Sequence, residues 1–260
     1  MKYLDGKQLS GFIKERQAHQ VASLSKAPVL AIIRDNDSPV IDKYVTLKIH
    51  YGADIGVTVH DFLVPTTELA STIEHCNSDP AIDGIILQLP ITDKSQTDHL
   101  TGLIVPQKDV DGLSGHGNFD SATATAILWL LSGYDINLKS AKIAIVGRGK
   151  LVGAPLYQMF TASNYDVTLF HRGDDLTNLT KFDIIITATG VPGLIQNAHI
   201  SPGAVIVDAG TASENGVIKG DVSDEVRART DLTAITPEKG GVGPLTVSCL
   251  FDHVIIAANK

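Results

Sequence analysis

The chain has little cysteine, no excess of basic charge and no long apolar run. Two cysteines in 260 residues, Cys76 and Cys249, build neither a disulfide framework nor a metal-ligand spacing. They read as reduced, buried thiols of a cytoplasmic protein. Lysine and arginine number 21 against 29 aspartates and glutamates, a formal net charge of −8. That balance argues against nucleic acid as the main partner, because phosphate backbones want a basic surface. It leaves room for a small anion in a local basic pocket. No segment reaches the length of a membrane span, and the start, Met1–Lys7, lacks the apolar core of a secretory leader. The expectation is therefore a soluble protein with no membrane partner. There is no internal repeat and no low-complexity tract. What is present is 43% hydrophobic content, enough to build the core of one large domain or two smaller ones.

The most informative stretch runs from Lys142 to Pro155. A short apolar run, Lys142–Val146, stops at Gly147-Arg148-Gly149, and Gly153 opens a helix-compatible segment. This is how a parallel α/β sheet presents backbone N–H groups to a phosphate. The spacing G-x-G-x-x-x-G is one residue longer than the common dinucleotide fingerprint, and a plain strand–turn–helix corner stays open as the alternative.

Strand-like runs alternate with helix-like ones, which predicts βαβ units and mostly parallel pairing. The expected strands are Val29–Arg34, Ile55–Phe62, Gly84–Leu87, Lys142–Val146, Asp166–Phe170, Asp183–Thr187 and Ala204–Asp208. Asp37 or Ser38 is a candidate cap for a helix reaching Gly52, and Thr66 or Thr67 for one reaching Cys76. Further helices are expected over Asp93–Leu103, Ser121–Leu131 and Pro244–Ala258. The fold class is α/β, as two lobes with a cleft between them, the second a Rossmann-type dinucleotide-binding domain. Residues 1–119, completed by a C-terminal helix at 244–260, form the substrate lobe; 120–243 form the cofactor lobe.

Several residues are candidates for chemistry. Tyr44 and Lys48 share one helix face, one turn apart. The ring either stacks on a flat ligand while the ammonium reaches past it, or is a half-buried tyrosine beside a solvated lysine. Gln88 ends an apolar strand, where it offers a donor and an acceptor to a ligand or to water. Lys108-Asp109-Val110-Asp111-Gly112 carries two alternate carboxylates that suit an amino-pyrimidine edge, a metal, or only their own turn. No short-spaced ligands accompany them, so no metal is expected, and His116 between two glycines reads as exposed. Gly240-Gly241-Val242-Gly243-Pro244 brings backbone close to a ligand or another segment, or is a loose connector. His171 and Arg172 stand where NAD-specific folds place an acidic residue. With Arg148 they favour the extra phosphate of NADP, although Asp174 and Asp175 follow closely.

As an ordered set these motifs resemble the bifunctional methylenetetrahydrofolate dehydrogenase/cyclohydrolase family, from about Asp35 to the last helix. Tyr44-Val45-Thr46-Leu47-Lys48, Gln88-Leu89-Pro90, Lys108–Gly112, Val146-Gly147-Arg148, Val152-Gly153-Ala154-Pro155, Thr187-Ala188-Thr189-Gly190, Gly220-Asp221-Val222 and Gly240–Thr246 match in the family's order. The resemblance implies oxidation of 5,10-methylenetetrahydrofolate with NADP, or with NAD, and hydrolysis of the methenyl product to 10-formyltetrahydrofolate. The resemblance further implies a place in one-carbon metabolism and purine biosynthesis. It implies Tyr44, Lys48, Gln88 and Asp111 as catalytic residues. It implies a folate contacted by Tyr44, Gln88, Asp111, Gly241 and Pro244. It implies a cofactor held by Gly147, Arg148, Gly149, Val152, Gly153, His171, Arg172, Thr189, Gly190, Gly210 and Thr211, and a homodimer.

The departures cluster near the expected cleft. Gly149 replaces the family's serine, and Arg172 replaces the serine of Cys-His-Ser. Ser121-Ala122-Thr123-Ala124 replaces Pro-Cys-Thr-Pro, and the loop after Gly112 is about ten residues shorter. Glu238-Lys239 stands for Val-Pro. These changes leave two alternatives: a dehydrogenase that has lost the hydrolytic step, or a non-catalytic folate- or nucleotide-binding module.

Overall fold

The computed structural model describes residues 1–210, 212–214 and 217–259, and the chain divides into two compact units. Its first half runs β1 (Lys2–Tyr3), α1 (Gly6–Ala22), β2 (Val29–Arg34), α2 (Pro39–Ile55), β3 (Thr58–Leu63), α3 (Leu69–Ser78), β4 (Gly84–Leu87), α4 (Thr97–Gly102) and α5 (Ala122–Gly133). There follow β5 (Lys142–Val146), α6 (Gly153–Ala162), β6 (Asp166–Phe170), β7 (Ile184–Thr187), β8 (Val205–Asp208), β9 (Ala212–Glu214), β10 (Val217–Lys219), α7 (Asp224–Arg227), β11 (Ala234–Ile235) and α8 (Val242–Ala258).

One unit comprises Gly11–Ala122 and Val247–Lys260. Its sheet is parallel, in the order β3-β2-β4, with Val29 to Arg34 in register with Thr58 to Leu63. β2 and β4 are buried almost throughout, as befits strands covered on both faces. Ala31, Ile33, Ile85 and Leu87 pack against Leu69, Ile73 and Cys76 of α3 and Leu100 of α4. α2 lies close to β3, since a Cβ on Gly52 would stand 2.7 Å from Val59. It also reaches α8, where the Tyr51 ring stacks on Phe251 at 5.1 Å. Chain order runs from β2 out to β3 and then back across to β4. The switch point, where such sheets bind ligands, therefore lies at the carboxyl ends of β2 and β4.

The other unit comprises Met1–Ser10 and Thr123–Thr246. Its six-stranded sheet has the order β1-β11-β8-β7-β5-β6, parallel at every pairing. β5 is flanked by β6 and β7, so the switch point falls at Gly147. β9 and β10 form a separate antiparallel pair.

Six of the expected strands agree to within a residue; three points need correction. The strand expected from Ile55 begins at Thr58, because α2 continues to Ile55 and ends on Gly56 in the left-handed conformation, φ +84°. The first ten residues, assigned by sequence to the first lobe, lie in the second unit, because Lys2 and Tyr3 pair with Ala234 and Ile235. The cap expected at Thr66 or Thr67 is instead a 3-10 turn over Thr66–Glu68 that leads into α3. Cys76 and Cys249 are buried and not joined in a disulfide, as expected.

Candidate active site

In the first unit, α2 carries Tyr44 and Lys48 on one face, both half-buried. Gln88 leaves the carboxyl end of β4 and is 9% exposed. The Lys48 Nζ donates to Gln88 Oε1 at 2.8 Å, and Gln88 Nε2 donates to the Leu89 carbonyl at 2.9 Å. The amide is thereby held with its oxygen toward the lysine. Burial pulls the Lys48 pKa down, against the opposing charge of Asp111. Asp111 is pushed up to about 6 by burial, with Lys48 opposing and Asp109 adding to the rise. Burial also raises the Tyr44 phenol. An amine and a carboxyl whose pKa values have each moved toward neutrality can exchange protons near pH 7.

The charge-dense segment Lys108–Gly112 separates into three roles. Lys108 Nζ donates to the Cys76, Asn77 and Asp79 carbonyls, closing the end of α3. Asp109, 1% exposed, accepts from the Gly112, Leu113 and Ser114 N–H groups and fixes the turn. Asp111 alone is left to interact with Lys48. Gly112 is required there: its φ is +70°, and a Cβ would stand 2.4 Å from the Asp120 carbonyl oxygen. On the other side of the turn, His253 of α8 bonds the Val110 carbonyl at 2.8 Å and stacks on Phe119 at 4.6 Å. His116 is exposed and its ring contacts the Ser114 carbonyl.

Sequence reasoning missed what braces α2. Arg34, 8% exposed at the end of β2, grips Asp61 of β3 with two bonds of 2.9 Å and Asp42 of α2 at 2.5 Å. The available signal was a charged residue closing an apolar strand, which demands a partner when buried.

In the second unit, Gly147 has φ +106°, and a Cβ there would stand 2.7 Å from the Ala188 carbonyl oxygen. A Cβ on Gly153 would fall 1.9 Å from the Gly147 carbonyl oxygen, so the start of α6 sits directly on the turn. No side chain caps the N-terminus of α6, leaving its first N–H groups and its positive dipole end for an anion. A cradle that only glycine can line fits a dinucleotide phosphate. Nothing lies within 4 Å of a Cβ on Gly149, so that glycine answers no packing need. Arg148 and His171 line a hollow of about 610 Å³ between α6 and β6; Arg172 is exposed and does not line it. Asp174 accepts the His171 N–H at 2.6 Å, and Asp175 accepts from Thr177, so both carboxylates serve their own turns.

Thr189 and Gly190, with φ +68°, follow β7, and Gly210 follows β8. Thr211 lies outside the described residues. Gly241 and Pro244 belong to this unit, whereas Tyr44, Lys48, Gln88 and Asp111 belong to the first. Gly241 has a structural neighbour: a Cβ on Gly6 would fall 1.9 Å from its carbonyl oxygen, so the glycine-rich turn packs on the start of α1. Among the described residues no group of three histidine, cysteine or carboxylate side chains gathers to hold a metal.

Comparisons with known proteins agree across both units. Residues 4–111 match the family description "Tetrahydrofolate dehydrogenase/cyclohydrolase, catalytic domain", and residues 121–260 match its "NAD(P)-binding domain". The chain is 36% identical to "Bifunctional protein FolD" of Limosilactobacillus reuteri, over 97% of this chain and 96% of that one. A crystal structure of the bifunctional FolD enzyme from Campylobacter jejuni superposes with a TM-score of 0.92 at 30% identity, covering 100% and 99% of the two chains. The Trypanosoma brucei enzyme, complexed with NADP and an inhibitor, gives 0.91 at 26% identity, covering 99% and 97%.

Proposed function

The chain belongs to the tetrahydrofolate dehydrogenase/cyclohydrolase family, and from that membership we propose how its residues divide the two reactions. The protein oxidises 5,10-methylenetetrahydrofolate with NAD(P) and hydrolyses the methenyl product to 10-formyltetrahydrofolate. A nicotinamide cofactor held at the Gly147 turn supplies the hydride acceptor. Oxidation needs no protein base; it needs the folate held still, and Tyr44 and Asp111 do this. The phenol ring stacks on the flat pterin, and the Asp111 carboxylate takes charge-assisted hydrogen bonds from its amino edge.

Hydrolysis needs proton transfer. Water adds to the methenyl carbon and loses a proton; N5 takes a proton, its bond to that carbon breaks, and the hydroxyl left on the carbon releases its remaining proton to solvent as the formyl C=O forms. Lys48 is the residue for both transfers. Its amine, with a pKa lowered by burial, accepts from the water and returns the proton to N5. Gln88 aims it. The observation that carries this reading is the 2.8 Å bond between Lys48 Nζ and Gln88 Oε1, with Asp111 as the neighbouring charge. Replacing Lys48 by Met should lower hydrolysis of supplied methenyltetrahydrofolate by roughly a hundred-fold or more while sparing much of the oxidation. Equal loss of both would refute the role.

The finer reading is NADP over NAD. Arg148 and His171 at the hollow beside α6, with Arg172 next to them, favour a 2′-phosphate, and the occupation of Asp174 and Asp175 in local turns supports it. We also infer a homodimer, supported by the open edge of β6. A cytoplasmic setting suits two buried thiols that form no disulfide.

A further inference from the structure

Gly220-Asp221-Val222 has no part in the reading above, yet Asp221 is among the most completely buried polar residues of the chain, at 0% exposure. It follows β10, and its carboxylate reaches the carboxyl end of β7. There one oxygen accepts from the Thr187 hydroxyl at 2.6 Å and from the Thr189 N–H at 2.6 Å. The other accepts the Val191 N–H at 3.0 Å. The Asp221 backbone is tied down in turn, its N–H donating to Asp208 Oδ1 at 3.0 Å and its carbonyl accepting from Ile195. Asp208 also accepts from Gly210 and Val222 and pairs with Arg227. A Cβ on Gly210 would fall 2.0 Å from Asp221 Oδ1, so the backbone after β8 presses directly on this carboxylate.

The segment it holds is one wall of the phosphate turn. The Ala188 N–H donates to Val146 at 2.9 Å, and the Ala188 carbonyl is what forbids a side chain at Gly147. We propose that Asp221 is a positioning residue for the cofactor: by accepting the Thr189 and Val191 N–H groups it fixes the Thr189-Gly190 backbone against the Gly147 turn. Three donors converge on a carboxylate at the place where β7 must leave the sheet and Gly190 must turn back with positive φ. Without that acceptor the two N–H groups have no shared anchor, and the wall of the cofactor site loses its set position. The residues assigned to hydrolysis lie in the other unit, and that step uses no cofactor.

This rests on the NAD(P)-dependent reading, and the experiment separates the two. Asp221→Asn keeps the shape but turns an NH₂ group toward N–H donors, so at least one bond is lost. NADPH binding by titration, KM for NADP, KM for methylenetetrahydrofolate, and hydrolysis of supplied methenyltetrahydrofolate are measured on the full chain. The Kd and KM for NADP should rise roughly ten- to hundred-fold, as loss of a charged hydrogen bond implies. The KM for folate and the hydrolytic rate should stay within about two-fold. Unchanged NADP affinity would overturn the proposal, and so would a proportional fall in hydrolysis. Should that variant not fold, Thr187→Val removes one of the three bonds and should weaken NADP several-fold with hydrolysis intact; equal loss of both overturns the proposal. Failure of the unmodified protein to reduce either NADP or NAD would defeat the underlying reading instead.

Discussion

Replacing Asp111 by Asn should weaken the enzyme and strengthen the fold. The Asp111 carboxyl has a pKa of about 6 in the folded chain against an ordinary value of 3.8. A group that binds its proton more tightly when folded contributes full stability below 3.8, and that contribution drains away as pH rises through about 6. Above that window the buried charge is a standing cost, with a ceiling of about 3 kcal/mol at 1.36 kcal/mol per unit. Between about pH 5 and 7.5, roughly half of this remains to be lost, about 1.4 kcal/mol. The side chain keeps some water contact, so we expect about 1 kcal/mol. Asn has no such titration. Urea unfolding of the two proteins across that range should show the Asn variant gaining about 1 kcal/mol on the parent as pH rises. In a Lys48→Met background the Asp111 midpoint should move higher still, because Lys48 is what holds it down. A difference between parent and variant that is flat with pH would refute the reasoning. The same substitution should lower turnover of methylenetetrahydrofolate, since a neutral amide bonds the pterin edge less strongly.

Two further outcomes concern the cofactor turn. Gly153→Ala places a methyl 1.9 Å from a backbone oxygen and should abolish NADP binding or destabilise the chain by about 3 kcal/mol or more, whereas Gly149→Ser meets open space and should be tolerated, which thermal unfolding and cofactor titration will separate. Arg172→Ser should raise KM for NADP several-fold and leave KM for NAD unchanged; an equal effect on both would remove Arg172 from the 2′-phosphate.

The parallel strands were readable because burial on both faces leaves a continuous apolar run, as in Gly84–Leu87 and Lys142–Val146. β1 was not, being two exposed residues whose only signature is backbone pairing. α1 escaped because its buried positions include Ser10 and Gln17. Gln17 bonds the Ser248 carbonyl and receives the Tyr51 hydroxyl, so polar chemistry fills a face that hydrophobic periodicity searches for as apolar.

The site shows the same division. Spacing placed Tyr44 and Lys48 on one helical face, and the strand end announced Gln88. Spacing had no means to separate Asp109 from Asp111, which are two residues apart in one charged run. Only the turn distinguishes them, by giving Asp109 three N–H groups and leaving Asp111 to Lys48. Arg34 announced itself as a charge closing an apolar strand, but its partners were hidden for a related reason: Asp42 and Asp61 come from different elements and meet it only in the folded chain.

The most direct measurement incubates the pure protein with methylenetetrahydrofolate and NADP, or NAD, and follows reduced cofactor and 10-formyltetrahydrofolate together. The account predicts that both accumulate with the intact chain, and that Lys48→Met yields reduced cofactor while methenyltetrahydrofolate builds up unhydrolysed. An intact protein that forms neither product, or a Lys48→Met protein that still hydrolyses at the parent rate, would contradict it.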